Sequence, residues 1–91
     1  MRPTLGRIVH YRGKYGLFAM RAAVVNVDVT SLDQRGVDAG DIPPLSSDHH
    51  AHLWVFTPGE SGGFQEYDVA EGVPDAEGKI PPGTWCWPPR V

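Results

Sequence analysis

PPGTWCWPPRV, residues 81–91, and its counterpart PTLGRIVHYR, residues 3–12, decide the fold. Each is a short run of strand-forming residues fenced by glycine and proline. Gly83 to Trp87 reads as a strand that Pro88 and Pro89 end, since proline cannot donate to a ladder. Gly6 to Arg12 reads as a strand in which Ile8 and His10 point one way and Val9 and Tyr11 the other. Pairing the last strand with the first would close a small barrel, bring the chain ends together and remove exposed edges.

The interior supplies the remaining strands. Gly13 to Gly16 is a glycine-bounded turn, and Leu17 to Val29 is the longest apolar stretch. Helix competes for Leu17 to Ala23, but the valine run behind it argues for strand. Ala23, Val25, Val27 and Val29 share one face of that strand; Ala22, Val24, Asn26 and Asp28 share the other. Thr30 to Ser47 reads as a long loop, because Gly36, Gly40, Pro43 and Pro44 break any regular element. Its scattered Leu32, Val37, Ile42 and Leu45 predict that it packs back on the barrel. His49 to Thr57 is a third strand, with Ala51, Leu53 and Val55 on one face and His50, His52, Trp54 and Phe56 on the other. Pro58 to Gly63 is a hairpin loop, Phe64 to Val69 a fourth strand, and Ala70 to Pro82 an irregular acidic link.

These readings predict one all-β domain over residues 1–91: a small five-stranded SH3-like barrel with room for a short helical or 3-10 turn. An OB-like barrel or an open meander is the runner-up. At 91 residues there is room for one core, and each core side chain matters.

Composition excludes several classes of function. A single cysteine, Cys86, cannot form an intramolecular disulfide, so this is not a stapled secreted miniprotein. The sequence shows no apolar run long enough to cross a membrane and no signal peptide. The net charge of −3 argues against a nucleic-acid partner, although Arg2, Arg7, Arg12, Lys14 and Arg21 crowd the first 21 positions. The acidic Asp68, Glu71, Asp75 and Glu77 cluster around the fourth strand, where a solvated loop is the favoured reading.

Candidate chemistry is sparse. In Asp48-His49-His50-Ala51-His52, residues His50 and His52 share a strand face about 7 Å apart, which can place two imidazoles on one zinc ion. A third ligand would have to come from Asp48 or the distant His10, and an edge strand carrying histidines is the favoured reading. Cys86 sits between two tryptophans, where a packed thiol is expected rather than a nucleophile. Ser46, Ser47 and Ser61 lack the strand–turn–helix setting of a nucleophile elbow. Gly59 to Gly63 lacks the lysine of a phosphate-binding loop. The chain is therefore read as a non-enzyme without a cofactor. Tyr11, Trp54, Tyr67, Trp85 and Trp87 are the candidate partner-binding aromatics, with the loop Thr30 to Ser47 beside them. Burial of one of the paired tryptophans and half-exposure of the other is the expected compromise.

The start PTLGRIVHYR, the central HLWVFTP and the close PPGTWCWPPRV resemble a family of small mycobacteriophage-like proteins encoded by phages and prophages of actinobacteria. Its members share a Gly-Arg-Ile-Val-His-Tyr start, here Gly6 to Tyr11, and a Gly-Thr-Trp-x-Trp-Pro finish, here Gly83 to Pro88. The resemblance implies a phage origin and a compact β-fold, and it transfers no catalytic residue. The expectation is an accessory protein that binds a host or phage protein in the host cytoplasm during infection. A small decoration or tail-associated virion protein, and a metal- or nucleic-acid-binding module, are the alternatives.

Overall fold

Strand β1 (Ile8–Arg12) leads into β2 (Met20–Val27), a short helix α1 (Gln34–Asp38), β3 (His50–Phe56), β4 (Gly63–Ala70) and the two-residue β5 (Trp85–Cys86). The computed structural model describes residues 1–14 and 20–89. The expected turn at Gly16 and the start of the second strand at Leu17 lie outside the described residues.

The strands form one antiparallel sheet in the order β4-β3-β2-β1-β5. As the sequence predicts, the last strand pairs with the first, His10 with Cys86 and Tyr11 with Trp85. The sheet also curls until its far edge returns: Glu71, just past β4, bridges Trp85, and the Gly72 N–H donates to the Trp85 carbonyl at 2.7 Å. The result is a small all-β barrel of SH3-like type, built as a curled half-barrel sheet.

Alternation places the core. Val9 and Tyr11 on β1, Ala23 and Val25 on β2, Ala51, Leu53 and Val55 on β3, and Val69 on β4 are buried against Trp85. Burying the larger aliphatic side chains among them contributes roughly 1.5–3 kcal/mol each. The chain ends meet, as barrel closure requires: the Trp87 indole N–H donates to the Met1 carbonyl at 3.1 Å, and Pro3 is buried.

Two corrections to the sequence reading follow. The first is the place of α1, the short helical turn the fold reading left room for, which forms inside the segment read as an irregular loop, despite Gly36. Asp33 caps it by accepting the Arg35 N–H at 3.1 Å, and Gly40, at φ 81°, ends it. Gly36 is tolerated for its size: a Cβ there would stand 2.5 Å from Ile42 Cδ1. The second is His52, which alternation groups with the outward Trp54 and Phe56 but which is buried. The β3–β4 register slips between Ala51 and Leu53, giving β4 one extra residue opposite His52. Asp68 lies in that bulge at φ 52°.

Candidate functional site

The tertiary structure divides the five candidate aromatics. Tyr11 and Trp85 are withdrawn from the exposed faces of the sheet, because they fill the core at 1% and 0% exposure. The Tyr11 hydroxyl donates to Glu66 Oε2 at 2.8 Å, and the Trp85 indole N–H donates to the His49 carbonyl at 3.2 Å. Trp87 is half-buried and stands edge-on to Trp85, with ring centroids 5.5 Å apart. One tryptophan of the pair is therefore core and the other half-exposed, as the sequence predicts. Trp54 and Tyr67 remain exposed.

Trp54 belongs to a larger apolar surface. Register aligns Ile8, Val24, Trp54 and Gln65 in one row across β1, β2, β3 and β4. Phe56 lies on the same face of β3, two residues on from Trp54. Ile8 is 59% exposed, Phe56 47% and Trp54 38%, so the outer face carries an uncharged patch where the inner face carries the core. Gly63 makes room for the indole: a Cβ there would lie 2.7 Å from Trp54 Nε1. Gln65 ends the row, and the Asn26 amide N–H beside it donates to Gln65 Oε1 at 2.9 Å.

The sequence missed Ile8 and Phe56 as members of this surface. Their strand faces were legible, but that one face would stay open was not.

The long connection from β2 to β3 leaves the sheet at one carboxylate and is fastened back by another. Asp28, 3% exposed, accepts from the Thr30 N–H at 2.7 Å, the Thr30 hydroxyl at 2.6 Å, the Ser31 N–H at 2.9 Å and the Leu5 N–H at 2.8 Å. Burial pushes its pKa up, but these hydrogen bonds together outweigh burial and hold it below the ordinary aspartate value. Asp68 accepts from the Ser46 N–H at 2.8 Å and the Ser46 hydroxyl at 2.5 Å. Its pKa is likewise lowered: burial raises it, and the Ser46 hydrogen bonds outweigh that.

His52 completes the fastening. Its Nδ1 accepts the Asp68 N–H at 2.9 Å, so Nε2 carries the proton and donates to the Pro43 carbonyl at 2.8 Å. The Tyr67 ring stands edge-on over it at 5.2 Å. Leu32, Val37, Ile42 and Leu45 are all half-buried, and the return of the connection is held to the barrel through Pro43 and Ser46.

These contacts also dismantle the histidine constellation. Both nitrogens of His52 are engaged, His50 Nδ1 lies 2.7 Å from the Ser47 hydroxyl, and His10 sits on β1 with β2 between it and β3. Two strand spacings put His10 about 10 Å to the side of β3. Among the described residues no three His, Cys, Asp or Glu gather as a metal site. The acidic cluster is dispersed too: Asp68 holds Ser46, Glu71 meets His49 at 2.9 Å, Asp75 accepts the Glu77 and Lys79 N–H groups, and Glu77 pairs with Lys79. Cys86 is buried, and burial, with the charge of Glu71, raises its pKa. A thiol so placed is a weak nucleophile at neutral pH.

Comparison with known protein families, with curated proteins and with solved structures found no match. Among the described residues no helix is long and apolar enough to cross a membrane.

Proposed function

We propose that this chain is a phage-encoded, non-enzymatic accessory protein that binds another protein through the outer face of its sheet. The observation that carries the reading is the row Ile8–Val24–Trp54, with Phe56 beside it, left open on a rigid antiparallel sheet. Exposed apolar surface of this kind marks protein contacts, and tryptophan is prominent among the residues that dominate their energy. The row carries no lysine or arginine, and the chain is net acidic, so a nucleic acid is the wrong partner for it. The phage origin rests on the Gly6–Tyr11 and Gly83–Pro88 motifs.

The test is affinity purification of a tagged chain from infected cells, followed by binding of the recovered protein to pure native and variant chains. Trp54→Ser with Phe56→Ser should weaken binding at least about thirtyfold, a cost of about 2 kcal/mol, in the hot-spot range. Unchanged affinity in a folded double variant would remove this face as the site. Recovery of capsid or tail proteins in place of a host protein would redirect the role to the virion.

A further inference from the structure

Among the described residues the half-barrel is closed by main chain at one end only. Past the end of β4, Glu71 bridges Trp85. Toward the start of β4, strands β1 and β4 are joined through side chains. The Tyr11 hydroxyl donates to Glu66 Oε2 at 2.8 Å, and Lys14 Nζ lies 3.1 Å from the same oxygen. The Phe64 ring stands edge-on to Tyr11 at 6.3 Å. A cavity of about 190 Å³ opens among these groups, with Arg21 and Thr57 completing its wall.

Arg21 is the residue that packing does not account for. Register sets it opposite Tyr11, and alternation puts it on the face of Ala23 and Val25, both fully buried. An apolar side chain would serve the barrel better there. Arg21 is instead half-buried, and among the described residues no carboxylate lies within ion-pair distance of it. Glu66, the acid lining the cavity, is already held by Tyr11 and Lys14, so Arg21 leaves the opening with a surplus positive charge. A guanidinium presents a planar fork that matches a carboxylate, and aromatic walls that thin out water strengthen such a pair. Size narrows the ligand further: the cavity is smaller than the ~300–1,000 Å³ of small-molecule sites and suits a single side chain. It opens beside β4, the edge strand of the sheet, along which a partner segment can run.

We propose that the open end of the barrel is a carboxylate subsite, in which Arg21 receives a glutamate or aspartate side chain of the partner protein beside the exposed Phe64 ring. The proposal rests on the reading of the chain as a protein-binding module and adds the chemistry of the partner. Its first test uses neither Trp54 nor the partner itself.

The intact chain would be titrated by NMR with N-acetyl-glutamate N-methylamide and, in parallel, with the glutamine analogue. Saturable shifts at the Arg21 side-chain N–H and the Thr57 and Phe64 amides are expected with glutamate, with the glutamine probe at least about tenfold weaker. Arg21→Gln should abolish the response and Arg7→Gln, at an exposed position, should not. Equal response to both probes, no saturable shift, or a folded Arg21→Gln variant that binds as the native chain does would overturn the subsite. If Arg21→Gln does not fold, the two probes on the native chain decide alone. A recovered partner that binds Arg21→Gln normally, yet is lost with the Trp54 variant, would sink the subsite and leave the protein-binding reading standing.

Discussion

Asp28 shows how much one side chain does in a domain of this size. Its carboxylate gathers donors from Leu5, Thr30 and Ser31, tying the N-terminal segment to the exit from β2. Asp28→Ala would strand those donors at a buried position and should cost about 3 kcal/mol in urea denaturation. Asp28→Asn keeps one acceptor but turns an NH2 toward the Leu5 N–H or toward Thr30, and should cost less. The pH dependence has a definite sign. Because the folded pKa is lowered, the carboxylate's contribution is complete above about pH 4, the unfolded range, and is lost as the pH falls through its lower folded value. Denaturation midpoints between pH 7 and pH 2 should therefore fall more steeply for the native chain than for Asp28→Asn. Cys86 gives a second check at this scale. Buried, with a raised pKa, it should react slowly with thiol reagents in the native state and quickly in denaturant.

The connection from β2 to β3 behaves as an element in its own right. Its free energy comes from a few fasteners: Asp28 at the start, Asp33 capping α1, and the Asp68–Ser46 and His52–Pro43 bonds at the return. Asp68→Ala removes two hydrogen bonds and leaves a β-carbon residue at φ 52°, a loss of about 2 kcal/mol in all. Amide exchange should quicken most in residues 42–47; an equal change across β1 and β2 would contradict a local fastening. Gly36 gives a sharper test. Alanine ordinarily gains about 1 kcal/mol over glycine inside a helix. Here its Cβ would collide with Ile42 Cδ1 and Cγ1, so Gly36→Ala should destabilise, and Ile42→Val, which removes Cδ1 and keeps Cγ1, should relieve part of the cost.

At the scale of the molecule, the two strand-borne tryptophans that the sequence could not tell apart have opposite roles. Trp85 is where the sheet closes on itself, bonded to the His49 and Glu71 ends of the barrel and fully buried. Trp85→Ala should cost about 3–5 kcal/mol. That is a large part of the roughly 5–15 kcal/mol available to a natural domain, so extensive unfolding at room temperature is expected by circular dichroism. Trp54→Ser, on the outer face, should change stability by about 1 kcal/mol or less while removing a contact from the binding surface. A Trp54 variant that unfolds as Trp85→Ala does would place the indole in the fold and not at the site.

Strand positions, the pairing of first with last strand, the hairpin at Pro58 to Gly63 and the same-face sets Val9/Tyr11, Ala23/Val25 and Ala51/Leu53/Val55 were legible in the sequence, but not which face is inward. Turn residues and period-two alternation are local properties, written within a few positions of where they act. Which aromatics are wet was settled only by the tertiary structure, because that depends on what a distant segment covers. Alternation alone makes His52 and Trp54 equivalent, yet the segment around Pro43 crosses over one and leaves the other open. The bulge at Asp68 was hidden for the same reason, since Ser46 and His52 hold it from far along the chain; the helix at Gln34 to Asp38 was masked instead by Gly36, whose poor propensity the Asp33 cap outweighs. Arg21 stood in the sequence only as one of the basic residues crowding the first 21 positions; register and the curl of the sheet set it on an inward face beside an open cavity.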